Sequence, residues 1–212
     1  VRRLCPTMNM FLAQGVSRLG ITVFVCLGAA MAQVQWTANN ASPGPRRGAT
    51  AAFDSLTKRV VMVGGMRDPN MSTLTNETWV LAGTTWTQAV TPAALLPRWR
   101  AASAFDEPRQ RVVMFGGDNG GNFGDTWTFN TTTNTWLQVA PPTSPSARAD
   151  HAMASDPIHG NVVLFGGRAT GVLQADTWVW DGTTWTLLAP PVSPSAREAH
   201  RIQGRIGEAM NW

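Results

Sequence analysis

A threefold repeat with a period of about 50 residues constrains the fold of this chain more than any other feature. Each copy contains a run of four apolar residues followed by a glycine pair, and the pairs are Gly64-Gly65, Gly116-Gly117 and Gly166-Gly167. Two Trp-bearing segments follow each pair, and their tryptophans are Trp79 and Trp86, Trp127 and Trp136, and Trp178 and Trp185. Repetition at such a period is typical of architectures that stack one supersecondary unit many times.

Each unit of the repeat predicts four short β-strands separated by tight turns. The first strand is rich in small residues and runs from a recurring arginine towards an aspartate eight positions later. The second is the apolar run, which is typical of a strand buried on both faces. The third and fourth strands carry the two tryptophans and are joined by short turns with Gly or Asn. The recurring arginines are Arg46, Arg98, Arg148 and Arg197, and the aspartates are Asp54, Asp106 and Asp156.

The ordered set of apolar run, glycine pair, variable loop and two Trp-bearing strands resembles the kelch-repeat family over residues 36–197. The resemblance implies an all-β, kelch-type β-propeller, in which a blade that cannot bury both of its faces alone stacks radially on its neighbours. Three complete four-stranded blades are expected at about 46–97, 98–147 and 148–196. Twenty Gly and fourteen Pro fit this architecture, because such frequent breakers exclude a helical bundle.

Partial units flank the three complete blades. Residues 34–38, which include Trp36, match a fourth strand without the first three, and residues 197–200 match the start of another unit. The arc over residues 33–200 is therefore an incomplete ring, since closed propellers have about four to eight blades. Two interpretations stay open: a truncated or frame-shifted piece of a longer protein, which the non-repeat tail at 201–212 favours, or a ring completed by two chains. Either one leaves apolar blade faces exposed, which predicts self-association.

The first 32 residues predict a secretory signal peptide. A weakly basic segment ends at Arg18, an apolar stretch follows at 21–32, and Ala30-Met31-Ala32 forms an A-x-A cleavage pattern. The apolar stretch is shorter than the roughly 20 residues of a membrane-spanning helix, so no span is expected in the mature chain. A short buried helix or strand is the alternative. The leader predicts a secreted location, either extracellular or periplasmic.

The basic charge and both cysteines belong to this leader. Removing its three arginines from the 17 Lys and Arg leaves 14 cations against 13 Asp and Glu, so no basic surface predicts binding to nucleic acid. Cys5 and Cys26 are the two cysteines of the chain, and their position leaves no disulfide or thiol chemistry to residues 33–212.

A residue that recurs at the same place in every repeat is most simply structural. The recurring arginines are expected to bind carbonyl groups or a carboxylate between blades, because a guanidinium offers five fixed donors; anion binding is the alternative. The recurring acids are expected to order the loop that precedes each first tryptophan. These acids are Glu77, Asp125 and Asp176.

Binding residues are expected where the repeats differ, in the loops after the glycine pairs and at the start of blade two. Exposed loops on a rigid scaffold are the usual place for binding. The aromatic side chains of Trp99 and Phe123 would stack on a sugar ring or anchor a peptide, or else cover a blade edge. The candidates are Arg67, Asp68, Asn70, Trp99, Asp118, Asn119, Asn122, Phe123 and Arg168.

The sequence predicts a non-catalytic extracellular module that binds a protein or a polysaccharide. No catalytic residue, cofactor or metal site is expected, because His151 and His200 occupy equivalent repeat positions and His159 lies in a turn, without metal-ligand spacing. The alternative is a piece of a larger propeller enzyme acting on sugars, epimerase-like or oxidase-like. The oxidase version is disfavoured, since the copper radical oxidases that share this fold need Tyr and the chain has none.

Overall fold

The computed structural model describes residues 42–67 and 73–202, all of whose regular structure is β-strand. The predicted all-β class is confirmed. The predicted leader, the strand at 34–38 and residues 203–212 of the tail lie outside the described residues. Within the described ranges, no helix is long and apolar enough to cross a membrane.

Three four-stranded antiparallel meanders form the fold, and each is one blade. Blade one consists of β1 (Thr50–Asp54), β2 (Arg59–Val63), β3 (Thr78–Ala82) and β4 (Thr85–Ala89). Blade two consists of β5 (Ala102–Asp106), β6 (Arg111–Phe115), β7 (Thr126–Asn130) and β8 (Thr135–Val139). Blade three consists of β9 (Ala152–Asp156), β10 (Asn161–Phe165), β13 (Thr177–Trp180) and β14 (Trp185–Leu188). The loop between β10 and β13 adds a small hairpin of β11 (Arg168–Ala169) and β12 (Val172–Leu173), which the sequence did not predict.

The first strand of each blade begins later than the sequence pattern indicates. The residue two positions after each recurring arginine has a left-handed backbone, with φ of 64° at Gly48, 56° at Arg100, 57° at Asp150 and 52° at Ala199. A β-strand cannot pass through this conformation, so β1, β5 and β9 start two residues further on. Holding a non-glycine residue there costs about 1 kcal/mol or more, which the surrounding structure must offset.

These left-handed residues form a belt of backbone hydrogen bonds from blade to blade. The Arg100 N–H donates to the Gly48 carbonyl at 2.8 Å, and the Asp150 N–H donates to the Arg100 carbonyl at 3.0 Å. The Ala199 N–H then donates to the Asp150 carbonyl at 2.9 Å. The belt explains why the same unusual conformation recurs at a position occupied by four different residue types.

Each glycine pair lies where the backbone of the next blade comes closest. Gly116 has φ of 65°, and a Cβ atom on it would lie 2.5 Å from the carbonyl oxygen of Arg148. Gly117 donates its N–H to that same carbonyl at 3.0 Å. A side chain at either position would push the two blades apart, which accounts for the recurrence of the pair.

Each blade has two apolar faces, one turned to the preceding blade and one to the following blade. We call the first the leading face and the second the trailing face. The leading face of blade two, with Phe105, Val112 and Met114, packs on Val61 and Val80 of the trailing face of blade one. The second interface repeats this arrangement with residues Ala104, Val113, Phe115, Met153, Val162, Leu164, Trp180 and Trp185.

The fourth-strand tryptophan of each later blade reaches back to the blade before it. The Trp136 indole N–H donates to the Thr78 hydroxyl at 2.8 Å, and the Trp185 N–H donates to the Thr126 hydroxyl at 3.0 Å. Each ring thus buries apolar area and satisfies its single polar atom at once. The hydrogen bond also sets the register between neighbouring blades.

Candidate binding face

The recurring arginines lie beneath the loops, and their hydrogen bonds connect neighbouring blades. Arg98 is 1% exposed, and its guanidinium donates to both carboxylate oxygens of Asp125, at 2.6 and 2.8 Å, and to the Gly116 carbonyl at 2.9 Å. Its own carbonyl accepts the Gly65 N–H of blade one at 2.8 Å. Side chain and backbone therefore serve two different blades, and four of the five guanidinium donors are already bound to protein acceptors.

The second internal arginine repeats the arrangement. Arg148 donates to Asp176 at 2.6 and 2.8 Å and to the Gly166 carbonyl at 3.0 Å. The Trp178 indole donates to the same carboxylate at 2.7 Å. Burial alone would raise the pKa of Asp176, but the hydrogen bonds from Arg148 and Trp178 outweigh it and hold the pKa below its usual range.

Blade one carries a looser version of this arrangement. Arg46 donates to Glu77 at 3.0 Å and to the Gly64 carbonyl at 3.2 Å. The candidate Arg67 also donates to Glu77, at 2.5 Å, so its charge is already engaged. Burial would raise the pKa of Glu77, and hydrogen bonds from Trp79 and Arg46 lower it overall.

The loops after the glycine pairs and the residues after the recurring arginines form one surface, which we call the loop face. Three isolated backbone pairings join the two sets of residues. They are Arg47 with Met66, Trp99 with Asp118, and Ala149 with Arg168. The loop face comprises the described residues 47–48, 66–67, 99–100, 118–123, 149–150, 168–174 and 198.

Trp99 lies at the centre of a cationic cluster on the loop face. The guanidinium of Arg100 lies 3.5 Å from the centroid of the Trp99 ring, and that of Arg47 lies 5.3 Å away. The indole N–H donates to the Asp118 carboxylate at 3.1 Å, which fixes the ring plane. Trp99 also rests on Gly48, where a Cβ atom would lie 3.2 Å from the ring. We call Arg47, Trp99, Arg100 and Asp118 the Trp99 cluster.

Two ion pairs lie next to the Trp99 cluster, towards blade three. Arg100 and Asp150 are 3.5 Å apart, and Arg168 binds both carboxylate oxygens of Glu198 at 2.5 Å. Burial raises the pKa of Asp150, although the charge of Arg100 opposes the shift. The hydrogen bond from Arg168 lowers the pKa of Glu198. This part of the loop face therefore carries positive and negative side chains next to each other.

A cleft of about 410 Å³ opens between the loops of blades two and three. Its walls carry charged and amide side chains, and its remaining lining consists of Gly, Ala and Thr residues. The principal lining residues are Arg100, Asp118, Asn122, Asp150 and Arg168. Such a cleft can accept hydrogen-bonding groups of a ligand beside the aromatic surface of Trp99.

The other predicted binding residues hold the loops in place. The ring of Phe123 lies 4.1 Å from the Arg98 guanidinium, so one of its faces is already covered. The Asn122 amide donates to the Arg168 carbonyl at 3.0 Å and ties the loops of blades two and three together. Asn119 is exposed at the loop tip, where its N–H donates to the Gly121 carbonyl at 3.3 Å. Asp68 and Asn70 lie outside the described residues.

The sequence analysis missed four charged residues of the loop face. They are Arg47, Arg100, Asp150 and Glu198, which stand one or two positions after a recurring arginine. A signal was present, because these two positions differ in every repeat: Arg-Gly, Trp-Arg, Ala-Asp and Glu-Ala. Variation between repeats therefore marks these positions as well as the loops and Trp99.

Two of the three histidines pack against phenylalanine rings, and the third contacts a carboxylate. The ring of His151 packs edge-on against Phe115 at 5.6 Å, and that of His200 packs on Phe165 at 5.4 Å. Burial, with the charge of Arg148 adding to it, lowers the pKa of His151 to about 3. The third histidine, His159, contacts Asp156 at 2.6 Å. Across residues 42–67 and 73–202, no group of three or more His, Cys, Asp or Glu could hold a metal ion.

Comparison with known proteins points to the same architecture. A family model described as the KLHDC2/KLHL20/DRC7 Kelch-repeats domain matches residues 84–210, which is more than half of the chain. The matched range begins at the fourth strand of blade one and contains blades two and three. It therefore includes Trp99, Asp118 and Arg168 of the loop face. A comparison with curated proteins found no match.

Proposed function

The chain belongs to the kelch-repeat family, and from this premise we propose that it is an extracellular module that binds a protein partner through the loop face. Kelch-repeat domains typically act as protein-binding β-propeller modules. The partner in this proposal is a protein segment rich in Asp and Glu that also presents an apolar or aromatic side chain. Self-association through the exposed blade faces is a separate proposal, because apolar surface of that kind favours association.

The Trp99 cluster is the observation that carries the proposal. Arg100 is 42% exposed and its nearest carboxylate is 3.5 Å away, so the guanidinium keeps donors for a ligand. Within the described residues, the side chain of Arg47 donates only to the Met66 sulfur, at 3.7 Å. Two cations beside a half-buried indole provide charge and apolar area together, a combination enriched at the energetic centres of protein interfaces.

An acidic polysaccharide is the competing ligand. A sugar ring can stack on an indole, and its carboxylates would meet the same two arginines. The two ligand classes differ in shape, because a polysaccharide would present repeated charges along a chain and a protein segment would insert side chains into the cleft. The same binding experiment can therefore separate them.

Fluorescence anisotropy of labelled ligands tests the proposal directly. The ligands are a peptide rich in Asp and Glu with one Phe, a peptide of the same length rich in Lys, and polygalacturonate. We expect the mature protein to bind the acidic peptide, and Arg100→Gln to weaken binding about tenfold, as for loss of one charge-assisted hydrogen bond. Trp99→Ala should weaken it by a similar factor.

Lys58→Gln is the matched control, since Lys58 is an exposed cation in the β1–β2 turn at the other end of the blade. It should leave binding unchanged. Equal weakening by Lys58→Gln and Arg100→Gln would mean that only the net charge matters, and the proposal would fail. Binding of polygalacturonate alone, lost in Arg100→Gln, would move the ligand class from protein to polysaccharide.

The extracellular location rests on the predicted leader at residues 1–32. We expect the protein to be exported and cleaved after Ala32, so that the mature chain begins at Gln33. N-terminal sequencing of the protein recovered from the medium or the periplasm tests this. An intact leader on protein recovered from the cytoplasm would remove the extracellular part of the proposal and leave the binding face unaffected.

A further inference from the structure

A second cleft, of about 440 Å³, lies between blades two and three at the end of the blades opposite the loop face. Its walls come from the β5–β6 turn and strands β6 to β8 of blade two, and from the end of β13 with the turn that follows it. The volume falls within the range of about 300–1,000 Å³ that is typical of small-molecule sites. The lining residues with hydrogen-bonding side chains are Asp106, Arg109, Arg111, Thr128 and Trp180.

Between blades one and two, the equivalent polar groups bond to each other. The Thr131 hydroxyl of blade two donates to the carboxylate of Asp54 at 2.5 Å. Asp54 also accepts the hydroxyl of Thr57 at 2.6 Å. The guanidinium of Arg59 donates to the Thr131 carbonyl at 2.6 Å. One threonine of the following blade therefore serves both the acid and the arginine of the preceding blade.

Between blades two and three, a glycine replaces this threonine. Gly182 stands four positions after the first Trp of its blade, as Thr131 does, and a Cβ atom on it would overlap the Arg109 guanidinium. Asp106 therefore accepts only one described side-chain hydrogen bond, from Arg109 at 3.1 Å. The carbonyl hydrogen bond of the first-blade arginine has no counterpart at Arg111 within the described residues. Both the acid and the arginine keep hydrogen-bonding capacity for a ligand.

Two buried polar side chains of this cleft lack a hydrogen-bond partner. Trp180 is 1% exposed and Thr128 is 6% exposed, but neither the indole N–H nor the hydroxyl bonds to a described residue. Leaving a buried polar group unpaired costs about 1–3 kcal/mol. Blade packing does not require these polar atoms, because the equivalent position of Trp180 in blade two is Phe129, and those of Thr128 in the other blades are Val80 and Val179.

The Asp106 carboxylate is also less well compensated than its equivalent in blade one. Burial raises the pKa of Asp106, although Arg109 and, more weakly, Trp180 oppose the shift. Burial would also raise the pKa of Asp54, but hydrogen bonds from Thr131 and from its own turn outweigh it and lower the pKa overall. The second cleft thus contains an acceptor that the protein itself satisfies only in part.

These groups together select the chemistry of a ligand. A hydroxyl group can accept the Trp180 N–H and donate to the Asp106 carboxylate, whereas a carbonyl group only accepts and an ammonium group only donates. The guanidinium groups of Arg109 and Arg111 outnumber the single carboxylate, so a ligand with one negative charge balances the site. The cleft therefore suits a small molecule that carries several hydroxyls and one carboxylate.

We propose that the second cleft binds a monosaccharide acid. The ligand carboxylate bonds to the Arg111 guanidinium. One ligand hydroxyl bridges the Trp180 indole and the Asp106 carboxylate, and another pairs with the Thr128 hydroxyl. The site is independent of the protein partner proposed for the loop face, which lies at the other end of the blades.

Isothermal titration calorimetry of the mature protein with D-galacturonate tests the proposal. D-galactose is the matched ligand, because it has a hydroxymethyl group in place of the carboxylate. We expect saturable binding of galacturonate and about tenfold weaker binding of galactose, as for loss of one charge-assisted hydrogen bond. The other blades supply the substitutions, since Asn161 is the blade-three equivalent of Arg111. Arg111→Asn should weaken galacturonate binding about tenfold, and Trp180→Phe and Thr128→Val about fivefold each.

Two controls separate this site from the loop face and from net charge. Lys58→Gln should leave galacturonate binding unchanged, and Arg111→Asn should leave binding of the acidic peptide unchanged. The proposal is wrong if galacturonate shows no saturable binding, if galactose binds equally well, or if Arg111→Asn and Lys58→Gln have the same effect.

The Tm of the free protein gives a second readout. Thr128→Val should not lower the Tm, because it removes a hydroxyl that has no partner in the free protein. A Tm lowered by several degrees would show that the hydroxyl serves the fold and not a ligand, and would overturn its role in the site.

Discussion

Blade two and blade one carry the same sequence pattern but differ in burial. Phe105 on the leading face of blade two is 3% exposed, whereas its equivalent Phe53 in blade one is 53% exposed. The apolar run of β6 is completely buried, whereas Val60 and Met62 of β2 are only half-buried. The expectation that every apolar run is buried on both faces therefore holds for blade two and is wrong for blade one in the described structure. On the leading face, burial therefore depends on the preceding blade; on the trailing face of blade three, Val163 and Phe165 are 1% and 6% exposed without a described following blade.

The largest expected difference between the two blades lies in these phenylalanines. Phe105→Ala should lower the free energy of unfolding by about 4 kcal/mol, because it leaves a cavity between two blades. Phe53→Ala should lower it by less than about 1 kcal/mol, since the ring is half in solvent. Urea unfolding of both variants measures the difference. Equal losses would mean that the leading face of blade one is covered in solution.

The recurring arginines allow a second comparison, between the buried Arg148 and the exposed Arg197. Arg148→Ala should cost about 3 kcal/mol, because it removes both guanidinium donors from Asp176, which keeps the Trp178 indole N–H, and leaves the Gly166 carbonyl without its side-chain donor. Arg197→Ala should cost less than about 1 kcal/mol, since its side chain is exposed and, among the residues that the structure describes, bonds only to Ser195. Chemical unfolding of the two variants side by side gives both values. A large loss in Arg197→Ala would reveal an acidic partner on blade three of the parent chain.

Acid should weaken the interface between blades two and three through His151. The folded pKa of about 3 lies below the ordinary value of 6.5, so the unfolded chain takes up the proton first as the pH falls. The stability that the neutral His151 ring contributes is fully present above pH 6.5. It is lost progressively as the pH falls to about 3. Between pH 7 and 5 we expect the parent to lose about 2 kcal/mol more than His151→Phe. Unfolding at both pH values checks this, and identical pH dependence would contradict a neutral buried ring.

The smallest expected difference concerns the fourth-strand tryptophans. Trp136→Phe removes the hydrogen bond to Thr78 and should cost about 1 kcal/mol beyond the loss of ring area. Trp136→Phe with Thr78→Val should recover little of that loss, since Thr78 also accepts a hydrogen bond from the Thr91 hydroxyl at 3.0 Å and is not left unpaired by Trp136→Phe. A double-mutant cycle from thermal unfolding measures the coupling between the two residues. A coupling near zero would show that the indole only fills space.

Part of the candidate site was predictable from the sequence, and part was not. Variation among the repeats drew attention to Trp99, Asp118 and Arg168, which the structure places on the loop face, because exposed loops differ where packed strands must agree. The cations around Trp99 were missed, since Arg47 comes from blade one and meets the ring only when blade two is packed beside it. The sequence predicted Phe123 as a binding residue. Only the packing of the fold places the Arg98 guanidinium over its ring.

The sequence by itself determined the strands, the turns and the order of the meander in each blade. Glycine pairs, apolar runs and Trp-bearing segments act over a few residues, so their consequences are local and repeat with the pattern. Only the tertiary structure decided which apolar faces are buried, which carboxylate each arginine binds and which residues gather around Trp99. Those outcomes depend on contacts between residues that are far apart in sequence, and three nearly identical units acquire different neighbours by their position in the arc.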